Sequence, residues 1–158
     1  MSAAPAFDRA WLGEVLKYSE MLLSKERKEE LGRNQVRLQA AMGAMPDDRI
    51  VLNYLGRSPL SFFDFRFDCT ELWKGQTFNG ELYQRFWAPG GEFSKFDPRV
   101  ELPKIKCPVL IASGIFDFGC PPTVWYRFKD KLETHEYRVF ERSGHYPRSK
   151  SDSYLIEP

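Results

Sequence analysis

The sequence predicts an α/β fold in two parts: a helical, aromatic-rich region over residues 1–99, then a short parallel βαβ unit over residues 100–158. Three observations carry the second part. Pro108–Ser113, inside "LPKIKCPVLIASG", is an apolar run bounded by Pro and Gly, the pattern of an interior parallel strand. "PPTVWYRFKDKL" opens on prolines, which a helix start tolerates, and repeats Val124, Phe128 and Leu132 at helical spacing. "HEYRVFE" is a second short strand and ends in the glycine-containing turn "RSGHYP". Strand, loop, helix, strand and loop in that order make one βαβ unit.

The first part is justified element by element. From about Asp8 to Met42 the pattern is helical, with Trp11, Val15, Tyr18 and Leu22 on one series and Leu12, Leu16 and Leu23 on another. Gly32 predicts a break, followed by a second helix over "QVRLQAAM". "SKERKEELGR" is mixed in sign and reads as a solvated helix face. "MPDD" is a turn and helix-start signal, and "RIVLNYLG" is too short to type by periodicity. "RSPLSFFDFRFD" reads as extended or irregular. "TELWKG" and "GELYQRFW" are short helices separated by "QTFNG", and "APGGEFSKFDP" is a loop.

Composition narrows the function classes. With 42% apolar and 15% aromatic residues in 158, the chain is of globular type, not a disordered one, and long enough for one domain. The 23 basic and 22 acidic residues leave a net charge of +1, so no nucleic acid or anionic membrane surface is indicated. Cys69, Cys107 and Cys120 are odd in number and irregular in spacing, which argues against a disulfide framework or a zinc site and for a reducing, cytoplasmic compartment. "MSAAPAFDRAW" has neither the basic nor the apolar region of a signal peptide. No apolar run approaches the roughly 18 residues of a membrane span. Phosphate loops, dinucleotide fingerprints and metal-ligand clusters are absent from the sequence, so no cofactor is implied.

Two titratable residues stand where strands should stop. Asp117 and His145 each lie in a loop after a strand, at the sheet edge where α/β proteins place their chemistry. They are 28 residues apart, about one βαβ unit. Parallel neighbours run about 5 Å apart, so residues just past their C-terminal ends can meet. A carboxylate that accepts from an imidazole N–H fixes the ring's tautomer and stabilises the imidazolium during proton transfer. That is the orienting half of a nucleophile–base–acid triad. A plainer reading stands beside it: Asp117 as a turn or N-cap carboxylate near Pro121 and Pro122, and His145 as a polar loop residue. His135, opening a strand, is expected to face solvent, and Cys120 to be loop packing.

"KIKCPVLIASGIFDFGCPP" followed by "YRVFERSGHYP" resembles the C-terminal third of α/β-hydrolase fold enzymes, in the proline iminopeptidase-like branch. There a P-V-L-x-x-x-G strand is followed by an Asp, then a helix, a strand and S-G-H. Pro108, Val109, Leu110, Gly114 and Asp117 match the first part; Phe140, Ser143, Gly144 and His145 match the second. "SPLSFFDFRFDCTELWKG" resembles the family's helical cap. The resemblance implies a partial α/β-hydrolase fold, with Asp117 as triad acid and His145 as general base. It also implies a small ester or amide, or a short peptide with N-terminal proline, as substrate. Trp73, Phe86, Trp87 and Phe93 are the candidate pocket aromatics, with simple core packing as the expectation.

The sequence departs from the pattern at the nucleophile. It has no G-x-S-x-G. In "GRSPL" the second glycine is replaced by Leu60, and Ser58 is followed by Pro59, which has no N–H for an oxyanion hole. Ser113 and Ser143 lie on the wrong sides of Asp117 and His145 for the family order. The resemblance therefore implies the cap and last βαβ unit of a larger enzyme, trimmed at both ends and inactive by itself. Two strands make a poor sheet, and an unpaired edge invites a separately encoded N-terminal half or a second copy. The sequence leaves open a hydrolase part, a non-catalytic interaction or dimerisation module, and a reading frame without a stable fold.

Overall fold

The computed structural model describes residues 9–44, 49–73, 79–88 and 90–146. The "MPDD" signal, most of "QTFNG" and everything from Pro147 onward lie outside them. The first helix, α1 (Arg9–Leu22), is followed after Leu23 and Ser24 by α2 (Lys25–Ala44). The break expected at Gly32 therefore falls eight residues earlier. Ser24 supplies the reason: its Oγ accepts the N–H of Arg27 at 3.2 Å, satisfying a donor that a new helix start leaves unpaired. A glycine inside a helix costs only about 1 kcal/mol, so α2 runs through Gly32.

"RIVLNYLG" is helical, as α3 (Arg49–Gly56), and packs on α2. A 3-10 turn, Ser58–Leu60, opens the aromatic stretch, which is irregular as far as Cys69. Two short helices follow, α4 (Thr70–Trp73) and α5 (Gly80–Trp87). Asn79 caps α5 by accepting the Leu82 N–H at 3.0 Å. After a 3-10 turn at Glu92–Lys95, Asp97 caps the one-turn helix α6 (Pro98–Glu101).

Strands β1 (Val109–Gly114) and β2 (His135–Phe140) pair in parallel, with Val109 opposite His135 and Gly114 opposite Phe140. Between them lies α7 (Pro122–Tyr126), shorter than its apolar spacing predicted. Its chain turns at Phe128 into a 3-10 turn, Lys129–Lys131. Val124, Phe128 and Leu132 are nevertheless all buried, because the 3-10 turn keeps them on the sheet side. Leu102, Ile111, Phe128 and Leu132 form the core under β1, with Ile105, Val109, Trp125 and Tyr137 packed against it. His135 does not simply face solvent: it is half-buried, with Nδ1 3.4 Å from the Leu132 carbonyl.

The candidate pocket aromatics are not core. Trp87 is 48% and Phe93 38% exposed, and their rings meet edge to face with centroids 4.8 Å apart. Trp73 instead stacks on Tyr54 at 4.9 Å. Among the described residues, no helix is long and apolar enough to cross a membrane.

Candidate active site

The two strand ends deliver the site. Gly114 closes β1 beside the turn that follows β2. A Cβ on Gly114 would overlap the carbonyl of Ser143, so only glycine permits this approach. The loops are then tied together: Ile115 N–H donates to Phe140 O at 3.0 Å and Phe116 N–H to Ser143 O at 2.9 Å. Asp117 closes its own turn by donating to Gly114 O at 3.1 Å.

Asp117 is 4% exposed and uses both carboxylate oxygens. Oδ1 accepts the backbone N–H groups of Gly119 at 3.0 Å and Cys120 at 2.8 Å. Oδ2 accepts Nδ1–H of His145 at 2.7 Å. The turn and the imidazole are thus each held by a different oxygen. On the imidazole, burial favours the neutral form, but the hydrogen bond and charge of Asp117 outweigh it and raise the pKa above the ordinary 6.5. With Nδ1–H committed, the neutral ring carries its lone pair on Nε2.

Two tyrosines and a cysteine surround the pair. Tyr18 donates from α1 to the Ile115 carbonyl at 2.7 Å; burial, then Asp117, pushes its hydroxyl up to about 12. Burial likewise pushes Tyr146 up to about 12. The Cys120 thiol is raised by burial and by Asp117, which makes it packing and not a nucleophile.

The aromatic stretch closes over both loops. Leu60 O accepts the Phe118 N–H at 3.0 Å and Ser61 O accepts the His145 N–H at 2.7 Å. Phe62 stacks on Tyr146 at 5.3 Å, and Phe63 meets Phe116 edge-on at 4.9 Å. A Cβ on Gly144 would overlap the Ser61 carbonyl, so this glycine sets how closely the stretch approaches. Ser58 is buried at the start of a 3-10 turn, not on a strand-to-helix elbow. Ser113 and Ser143 are buried as well.

Sequence reasoning missed Arg27. It sits in "SKERKEELGR", assigned to a solvated face, yet is only 3% exposed. Nη1 donates to the carbonyls of Pro59 and Phe62, the latter at 2.7 Å, and Nη2 to Phe63 O at 2.7 Å. The one signal available was its alignment with Leu23 and Leu31, four residues to either side.

Comparison with known proteins finds hydrolases. The chain is 29% identical over 125 residues to the AB hydrolase superfamily protein YclE of Bacillus subtilis, covering 78% of this chain and 44% of that protein. The chain is similar over part of its length to an α/β-hydrolase superfamily protein. A proline iminopeptidase of Clostridium botulinum is 36% identical over 74 residues, covering 47% of this chain and 25% of that enzyme. One from Lactobacillus helveticus is 33% identical over 79 residues, covering 46% and 26%. The match thus spans less than half the length of each of these hydrolases. No family model and no solved structure matches. The partial α/β-hydrolase fold expected from the sequence is what the chain has: helices followed by a two-stranded parallel βαβ unit.

Proposed function

We propose that this chain carries the acid and the base of a hydrolase site, with Asp117 orienting His145 as general base. The observation that carries the reading is the 2.7 Å hydrogen bond between buried Asp117 and Nδ1 of His145, at the C-terminal ends of two adjacent parallel strands. In this arrangement His145 Nε2 takes the proton of an attacking hydroxyl and returns it to the leaving group, while Asp117 stabilises the imidazolium. The relatives named proline iminopeptidases support short peptides with an N-terminal proline as substrates, within a wider class of esters and amides. Residues 1–99 act as a cap over a catalytic unit made by residues 100–158. Three scattered cysteines suit a cytoplasmic setting.

The attacking hydroxyl is not in these 158 residues, which contain no G-x-S-x-G. The chain alone is therefore inactive, and its activity needs a nucleophile encoded elsewhere. Two measurements test this. A fluorophosphonate probe leaves the purified chain unlabelled; labelling of any of its own serines would sink the proposal. Expressed with a polypeptide that supplies a G-x-S-x-G elbow, the chain supports labelling of that serine, and His145→Ala removes it.

A second reading, as an interaction module, is favoured by the outer face of the sheet, where Leu110 is 60% exposed on a strand. Light scattering across protein concentration separates the two, since self-association raises the mean mass.

A further inference from the structure

We infer that Arg27 is the positioning residue of the Asp117–His145 pair. The inference rests on the pair's proposed role. The three carbonyls that the guanidinium holds, of Pro59, Phe62 and Phe63, bracket Leu60 and Ser61. Those two residues supply the carbonyls that fix the backbones of Phe118 and His145. A second route reaches the acid directly. The guanidinium lies 5.1 Å from the ring centre of Phe116 and 5.3 Å from that of Phe118, the residues flanking Asp117. One side chain from α2 therefore touches both the segment that supports the base and the loop that carries the acid.

The residue type suits the task. A planar fork of five donors can bridge three carbonyls at once, whereas an ammonium is a point charge on a flexible stem. Burying the cation is costly, and three charge-assisted hydrogen bonds offset that cost only while segment 59–63 stays in place. Burial brings the Arg27 pKa down to about 10, against a smaller upward pull from Asp64, so the charge persists at neutral pH.

The test is NMR on the folded chain with Arg27→Met and Arg27→Lys, the histidines being distinguished by His135→Gln. Methionine fills the volume without donors. Its expected effects are a fall of the His145 titration towards the ordinary imidazole value, and amide exchange at His145 and Phe118 about tenfold faster relative to Ile111. Lysine gives an intermediate result. Tyr18, Cys120 and Tyr146, the other groups reached by Asp117, do not titrate in this range because burial raises each. Unchanged His145 titration and relative exchange in Arg27→Met would overturn the inference, as would acceleration shared equally by Ile111 and Leu132. Should the methionine variant not fold, the same two readouts in Arg27→Lys decide. A wild-type His145 that titrates no higher than an ordinary imidazole would overturn the pair's role itself, and this inference with it.

Discussion

Asp117 does two things with two oxygens, and a single substitution separates them. In Asp117→Asn the amide oxygen still accepts from Gly119 and Cys120, so the turn survives, while His145 loses its charged acceptor. The expected cost is about 1–3 kcal/mol. Its pH dependence follows from the raised pKa of His145. A group whose folded value lies above its unfolded one contributes in full below the unfolded value and loses the contribution as pH rises through the folded value. The stability gap between wild type and Asp117→Asn, from urea melts, is therefore widest below the ordinary imidazole value of 6.5 and narrows as pH rises above it. A gap that widens with rising pH contradicts the assignment. Gly144 is the companion case. Gly144→Ala drives a methyl into the Ser61 carbonyl and is expected to cost about 1–3 kcal/mol, with the His145 amide losing its exchange protection.

At the scale of elements, the strands were legible as short runs bounded by turn residues, but β1, expected as an interior strand, is covered on one face only. Ile111 is 4% exposed and Leu110 60%, as a strand with one covered face requires. Leu132→Ala, in the core beneath, should therefore cost about 2–4 kcal/mol, and Leu110→Ser less than about 0.5. Comparing the two urea midpoints checks which face is covered. Periodicity was a poorer guide to lengths. The α1–α2 junction follows a serine cap and not the glycine, and α7 yields to a 3-10 turn after one and a half turns. Both outcomes are local hydrogen-bond choices that an apolar repeat does not register.

Across the whole molecule, the helical region and the βαβ unit meet through the aromatic stretch. Phe62, 1% exposed, packs at once on Phe67 of its own segment and on Tyr146 beside His145. Arg127 of the unit also pairs with Glu14 of α1 at 2.7 Å. Far-UV circular dichroism and tryptophan fluorescence should therefore report one shared unfolding transition, and Phe62→Ala should lower it by about 3–5 kcal/mol. Two separate transitions would show the regions to be independent.

The sequence alone determined the strands, their order, and the two residues at their ends. Those features rest on short-range signals: an apolar run, a proline at a helix start, a glycine turn. That Asp117 and His145 can meet was legible for the same reason, since 28 residues span one βαβ unit. The tertiary structure alone decided which carboxylate oxygen serves the turn and which the imidazole. It also decided that Arg27 is buried and that Trp87 of α5 is exposed. Whether a cation in a charged run faces water depends on the carbonyls and rings that meet it. For Arg27 those carbonyls come from 32 to 36 residues further along the chain, beyond the reach of any local pattern.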